Sequence, residues 1–444
     1  MHRSRRTAVA LAALWGLIAP AGGTAGQQAL TLEDCVVQAL ENNPRIARAE
    51  RQVVRSGFQR QEASTTLLPT VYLSSAYSRY TSVSPQRLLN PATNQIIEGS
   101  ATAFTSTSYY AGLNVSQQLF NRSMAALYAQ AVAQERSAES SASLEEQRLV
   151  LDVHQAYYGL LRAARNLDVA GTDVAYNSEL LRQVRTLRSL GSRAQVDVLR
   201  QESALAQARQ RLIAAENALA KAKADLNYLM GAPLTGEVAI ADDLELQTAD
   251  VSLQASLDAA MEAHPSIRQA LMGLAAAEAG VESARAARYP SVGLSGNYSW
   301  RGDSYLDFGD AFDKNYTWSV GVSMSLPLFM GTRTKIGVDR ARVELNGARS
   351  EHDAAEQAVT LEVYRAVLDL EESRQSLETA RQSVTLASEA LRLAEELYRL
   401  GSGTLLEVNA SQLDLINARY QEVQALFTLK VARAVLDFAI GGLR

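Results

Sequence analysis

The sequence predicts an α+β membrane protein in which a β-barrel, shared among several chains, continues into a long α-helical assembly. Three observations predict it. The chain repeats itself, because "LTLEDCVVQALENNPRI" (30 to 46) returns as "VSLQASLDAAMEAHPSI" (251 to 267) and "LPTVYLSSAYS" (68 to 78) returns as "YPSVGLSGNYS" (289 to 299). Each copy holds short stretches that alternate apolar and small polar residues with a period of two. The rest is Ala/Leu-rich and almost free of proline, the bias of long helices.

Taken in order, residues 1–25 read as a secretory signal: Arg3, Arg5 and Arg6, an apolar run from Ala8 to Ala19, then small residues around Gly23, Thr24 and Ala25. That run is shorter than the ~20 residues a spanning helix needs, and no later stretch reaches that length without charges. Export is therefore expected, to the periplasm, the outer membrane or the exterior of a Gram-negative cell. Cys35 is the only cysteine, so no intrachain disulfide forms. With Glu33 and Asp34 before it, it reads as a partly buried helical residue and not as a lipid anchor.

The first repeat is assigned to 26–231, a linker to 232–249 and the second repeat to 250–444. Each repeat reads helix, strand, strand, long helix, break, helix. In the strands, Val292, Leu294, Gly296, Tyr298 and Trp300 share one face, while Gly293, Ser295, Asn297 and Ser299 make the other small and polar. Trp318, Val320, Val322, Met324 and Leu326 alternate with Ser319, Gly321, Ser323 and Ser325 in the same way. Alternation over about ten residues, with aromatics at the ends, suits a lipid-facing barrel strand. Four strands cannot close a barrel, and an open edge cannot sit in lipid, so several chains must share one. Two chains give eight strands with a filled interior; three give twelve and room for a passage.

From Asn121 to Leu190 there is no proline, and only Gly159 and Gly171 interrupt, which predicts a nearly continuous helix of roughly 100 Å. Leu205, Ala208, Leu212, Ala215, Leu219, Ala222, Leu226 and Leu229 form a coiled-coil seam. Before the second break there are two seams. Leu377, Ala380, Val384, Ala387, Leu391, Ala394 and Tyr398 form one; Leu386, Ala390, Leu393, Leu397 and Leu400 form the other, about 200° away. A helix with seams on opposite sides needs neighbours on both, as in the wall of a tube. The breaks, "RSLGSRAQVDV" (188 to 198) and "YRLGSGTLLEV" (398 to 408), carry Gly191 and Gly401, which let the chain reverse at the tip of a helical hairpin.

A net charge of −5 leaves no basic stripe, so no nucleic-acid partner is expected. His2, His154, His264 and His352 are scattered, and the seven methionines do not cluster. No nucleophile and base are grouped, so the chain is not expected to be an enzyme, to bind a metal or to need a cofactor. "RGD" at 301 to 303 reads as a charged external loop.

"ENNP" (41 to 44), "SLPLFMGTRTK" (325 to 335) and "YRLGSGTLLEV" followed by "NARY" (417 to 420), in this order and within a duplication, resemble the TolC family of outer-membrane efflux proteins. The resemblance covers essentially the whole chain after residue 25. It implies a homotrimer in which four strands per chain make a 12-stranded barrel in outer-membrane lipid, continuous with a long α-helical barrel in the periplasm. It implies a periplasmic adaptor (a membrane fusion protein) and an inner-membrane RND or ABC pump as partners, and hence a passive exit duct for efflux or type I secretion. The tips Leu190, Gly191, Ser192, Leu400, Gly401 and Ser402 would meet the adaptor.

The same resemblance places the aperture at Asp197, Glu407, Tyr398 and Arg193. Tyr398 and Asp197 match a tyrosine and an aspartate that hold the family's closed end, and Tyr398 is expected to donate a hydrogen bond to Asp197. An arginine of that closure falls here on Gly403, with Arg193 placed to substitute. Of two acidic ring positions one matches Glu407, and the other falls on Ala410. The rival reading, a periplasmic coiled-coil adaptor or structural scaffold, does not need four alternating strands.

Overall fold

The computed structural model describes residues 29–241, 251–304 and 313–443; the expected signal at 1–25 and the linker from residue 242 lie outside the described residues. The elements run α1 (Leu32–Asn42), α2 (Pro44–Thr65), β1 (Thr70–Asn90), β2 (Gln95–Asn121), α3 (Arg122–Ser189) and α4 (Gln195–Met230). The second set follows in the same order: α5 (Leu253–Ala263), α6 (Pro265–Ala286), β3 (Ser291–Gly302), β4 (Tyr316–Ser325), α7 (Arg333–Arg399) and α8 (Leu405–Ala439). The opening helix expected in each half is two helices. Pro44 and Pro265 force the preceding Asn43 and His264 into extended backbone, and those residues then cap the next helix.

The four strands form one antiparallel sheet in the order β1-β2-β3-β4. The register Leu73↔Leu113, Leu113↔Tyr298 and Tyr298↔Trp318 carries one apolar face across all four strands. Leu73 on that face is 75% exposed and Val320 67%. Thr70, Ser74, Asn114, Asn297 and Ser319 lie on the opposite face, where Asn297 Nδ2 donates to Asn114 Oδ1 at 2.8 Å and Asn114 Nδ2 to Ser74 Oγ at 3.1 Å. Among the described residues both outer edges, of β1 and β4, are unpaired. Two expectations are corrected. The strands are not uniformly about ten residues, since β1 and β2 run to 21 and 27. Arg301 and Gly302 belong to β3, not to an external loop, because each pairs with β2.

No helix is long and apolar enough to cross a membrane among the described residues. At 68 and 67 residues, α3 and α7 each span ~100 Å. Along the wall α4 packs on α3, α3 on α8 and α8 on α7. One core sits where the short helices meet the long ones, around Cys35, Leu149, Tyr157, Leu226 and Met230. Another ties the far ends together through Leu180, Val184, Val198, Leu391, Tyr398, Leu405 and Val408. Cys35 is fully buried, and that burial pushes its thiol up to about 11.

Candidate functional site

The far ends of the four long helices carry every residue singled out for the aperture and the tips. Each hairpin turns through a glycine in left-handed backbone, φ 75° at Gly191 and 82° at Gly401, a conformation that costs side-chain-bearing residues steric strain. The turns close alike. Gly191 N–H donates to Arg188 O and Ser192 N–H to Leu187 O, both at 2.9 Å; Gly401 N–H donates to Tyr398 O and Ser402 N–H to Leu397 O, at 3.1 and 3.0 Å. These bonds satisfy the last helical carbonyls and leave Leu190 and Leu400 projecting, 73% and 74% exposed.

The next helices start differently. Thr404 and Glu407 form a capping box on α8, with Thr404 N–H donating to Glu407 Oε2 at 2.8 Å and Glu407 N–H to Thr404 Oγ1 at 3.3 Å. Asp197 takes the matching place in the first turn of α4, behind Ala194, which caps with no side chain. Glu407 thus shares its charge with a helix terminus, and Asp197 has no such bond.

Tyr398, near the end of α7, is buried. The expected hydrogen bond to Asp197 is not made: the Tyr398 hydroxyl is buried without a partner. Arg193, from the other tip, takes the tyrosine instead. Its guanidinium lies 4.1 Å from the ring centroid, and its Nη2 donates to the Tyr398 carbonyl at 3.0 Å. Gly403 shuts the other side, where a Cβ would come within 2.9 Å of Tyr398 N and 3.0 Å of Leu397 C. An arginine at 403 has no room without moving the end of α7. Burial pushes the Tyr398 phenol above its ordinary value, Arg193 opposing and Asp197 adding to the shift.

Two further links were missed. Tyr176 on α3 donates to Glu395 Oε1 on α7 at 2.6 Å, and burial together with that bond raises its phenol. Deeper in the wall, Asp173 receives Arg211 Nη2 at 2.7 Å and Nε at 3.1 Å, Asn177 Nδ2 at 2.9 Å and Gln412 Nε2 at 3.3 Å. Gln201 Nε2 extends the network to Asn177 Oδ1 at 3.0 Å. A signal for it exists in the sequence. Asp173 and Asn177 interrupt a seam that runs Ala170, Leu180, Val184, while Gln201 sits between Val198 and Leu205 and Gln412 between Val408 and Leu415. His352, set aside as isolated, has Asp353 and Glu356 each 3.9 Å from its Nδ1 on the face of α7. Asp353 is largely exposed, and the three side chains sit on one turn of the helix surface.

Among the described residues nothing at these tips groups a nucleophile with a base; what the arrangement supplies is two tips whose side chains link one hairpin to the other. Comparison with known proteins bears on that use. The family model described as "Outer membrane efflux protein" matches residues 35–232 and 256–442. Protein CyaE of Bordetella pertussis is 33% identical over 327 residues, 72% of this chain and 68% of the relative. Outer membrane protein TolC of Vibrio cholerae is 24% identical over 410 residues, 90% of each chain. Among solved structures, the transmembrane channel CusC superposes with a TM-score of 0.81 over 96% of this chain and 95% of its own, at 20% identity, a likeness of fold.

Proposed function

The chain belongs to the outer membrane efflux protein family, and from that premise we propose that it is the exit duct of a tripartite efflux or type I secretion system. Three copies share a 12-stranded barrel in the outer membrane, and their long helices form a periplasmic tube. The tube conducts passively what an inner-membrane RND or ABC pump delivers through a periplasmic adaptor. The observation that carries this reading is the sheet: one face apolar across four strands and open to solvent on β1 and β4, the other mostly small and polar, and both outer edges unpaired among the described residues. Such a sheet is unstable in water and impossible in lipid until it closes, and closure needs further copies. Lipid then covers the apolar face, and the polar face lines a passage.

The helices support the same arrangement. On α7 the inner seam, Leu377, Ala380, Leu391 and Tyr398, is buried within the chain. The second seam is open, with Leu386 64% exposed and Leu393 and Leu397 about half exposed. As α7 ends the run α4, α3, α8, α7, its open seam faces the α4 of a neighbour, where Val196, Leu199 and Ile213 are also exposed. Leu190, Gly191, Ser192, Leu400, Gly401 and Ser402 then form the adaptor-facing rim, and Arg193, Asp197, Tyr398 and Glu407 the aperture within it.

Mass photometry in detergent and planar-bilayer recording test the proposal together. The expected result is a trimer that conducts ions and a Leu400→Glu variant that still inserts and conducts but no longer supports export in cells. A folded monomer that conducts in bilayers would overturn it.

A further inference from the structure

The duplication holds down to the strand register. Aligning the repeats sets β3 on β1, Leu68 with Tyr289, and β4 on β2, Phe120 with Phe329. Thr70↔Ser116, Leu73↔Leu113 and Tyr77↔Tyr109 of the first hairpin then fall on Ser291↔Ser325, Leu294↔Val322 and Tyr298↔Trp318, which are pairs that the second hairpin makes. One seam, β2 on β3, joins the hairpins, with the register Leu113↔Tyr298, Ser116↔Ser295 and Phe120↔Val292 and a bulge after Gln118. Its counterpart under the duplication, β4 on β1, is not made among the described residues, where both strands are outer edges.

Side chains along that counterpart carry the exposure a missing neighbour leaves. At the close of β2, Leu119 and Phe120 are 49% and 48% exposed beside β3, whereas the matching Leu328 and Phe329 after β4 are 90% and 88% exposed. The start of α3 also holds the turn before β3, with the Arg122 guanidinium 4.1 Å from the Tyr289 ring centroid. Leu68, which matches Tyr289, is exposed, and so is Leu67 beside it. The helices repeat the pattern. Helix α6 packs on both α3 and α7, while α2, packed on α3, leaves Val54 and Phe58 exposed, as α7 leaves Ile336 and Val343. The seams differ in one respect. Gln118 Nε2 donates to Phe120 O and to Val292 O, each at 2.9 Å, and so clasps the bulge of the internal seam from both strands. Pro327 stands at the matching place after β4 and has no N–H to donate from backbone or side chain.

Resting on the three-copy reading above, we propose that the chain's own middle seam is the template for the seam between copies. Strand β1 of a second copy pairs with β4 in the register Val322↔Tyr77, Ser325↔Ser74 and Phe329↔Val71, and Leu328 and Phe329 close over Leu67 and Leu68 of that copy. The occupant is a second copy because the chain already fills the same contact once, with its own second repeat. This register also keeps the apolar face continuous, with Val322, Tyr77 and Val71 all on it, and a slip of one residue would break it. Hydrogen bonds from Gln118 hold the internal seam where apolar contact at Leu328 and Phe329 holds the external one, so the seams between copies part first.

Paired cysteines read the register, and the native Cys35 is buried. Once mass photometry has established the trimer, Ser323→Cys with Ala76→Cys should form disulfide-linked dimers and trimers about tenfold faster under mild oxidation than Ser323→Cys with Tyr72→Cys, which is out of register. Leu328→Ser with Phe329→Ser should remove roughly half or more of the trimer at a fixed detergent dilution, and Gln118→Ala should leave that fraction unchanged. Absence of a trimer in the parent protein would overturn the exit-duct reading itself. A trimer that cross-links no faster through the Ala76→Cys pair, that survives the Leu328→Ser and Phe329→Ser changes intact, or that falls apart equally with Gln118→Ala would overturn the template and leave that reading standing.

Discussion

Asn43 and His264 cap α2 and α6 from the same place, each before a proline, and a left-handed glycine that ends a long helix lies against each turn, Gly231 at Asn42 and Gly441 at His264. Asn43 Oδ1 accepts from Arg45 N–H, and its Nδ2 donates to Leu229 O at 2.8 Å. His264 Nδ1 accepts from Ser266 N–H at 3.2 Å, but its Nε2 is buried without a partner. His264→Asn should therefore stabilise the fold by about 1 kcal/mol, read as a higher thermal midpoint, by supplying the missing bond. Burial, with Arg148 nearby, lowers the His264 pKa. The unfolded chain then takes the proton more readily, so the stability His264 confers is complete above pH ~6.5 and declines as pH falls through that value. The Asn variant should lose this part of the pH dependence. At the tip, the contact with Arg193 assigns roles by group: Tyr398→Phe should leave single-channel conductance unchanged, because the hydroxyl bonds to nothing. Arg193→Ala removes a cation–π contact worth roughly 0.5–2 kcal/mol and should raise conductance. Tyr398 and Arg193 were both singled out in the sequence, and the structure brings them together. Their pairing was not legible there, because it depends on Gly403 closing against the backbone of Tyr398 across a turn, a contact with no periodic signature.

Among the elements, α3, α4 and α8 meet in one polar layer within an apolar wall. Asp173 is nearly fully buried and its carboxylate holds Arg211, Asn177 and Gln412, so it sets which turn of α4 and α8 stands against α3. Asp173→Asn should destabilise the wall by about 2 kcal/mol, read by chemical denaturation, since Arg211 loses a charged acceptor. Helix lengths and hairpin breaks could be read from the sequence, because three/four spacing and Leu-Gly-Ser are local patterns. Strand lengths could not. Within the lipid band β1 alternates Val71, Leu73 and Tyr77 with polar neighbours, but past Tyr77 its Ser/Thr-rich course resembles a loop, and only pairing with β2 keeps it extended. The prolines that split the first helix of each half were visible. Their effect was underestimated because the helical pattern resumes at once on the other side.

For the whole molecule, the proposed three-copy assembly rests on the open seam of α7. Burying one leucine there stabilises the association by roughly 2 kcal/mol. Leu386→Glu with Leu393→Glu puts carboxylates in place of two such contacts while touching no side chain of the chain's own core. Mass photometry should then find monomers where the parent protein gives trimers. The duplicated order of elements and the alternating faces made this architecture legible from sequence, whereas the number of copies cannot be seen in one chain's pattern. A helix of 68 residues has one more consequence. Inserting a single residue into α3 would advance everything beyond it by about 1.5 Å and turn it by about 100°, rotating the seam out of register with α4 and α8. Only additions of about seven residues, made at matching heights in α3, α4, α7 and α8 together, keep the faces aligned. The wall of long helices therefore changes length only in steps of about two turns, roughly 10 Å, taken in all four helices at once.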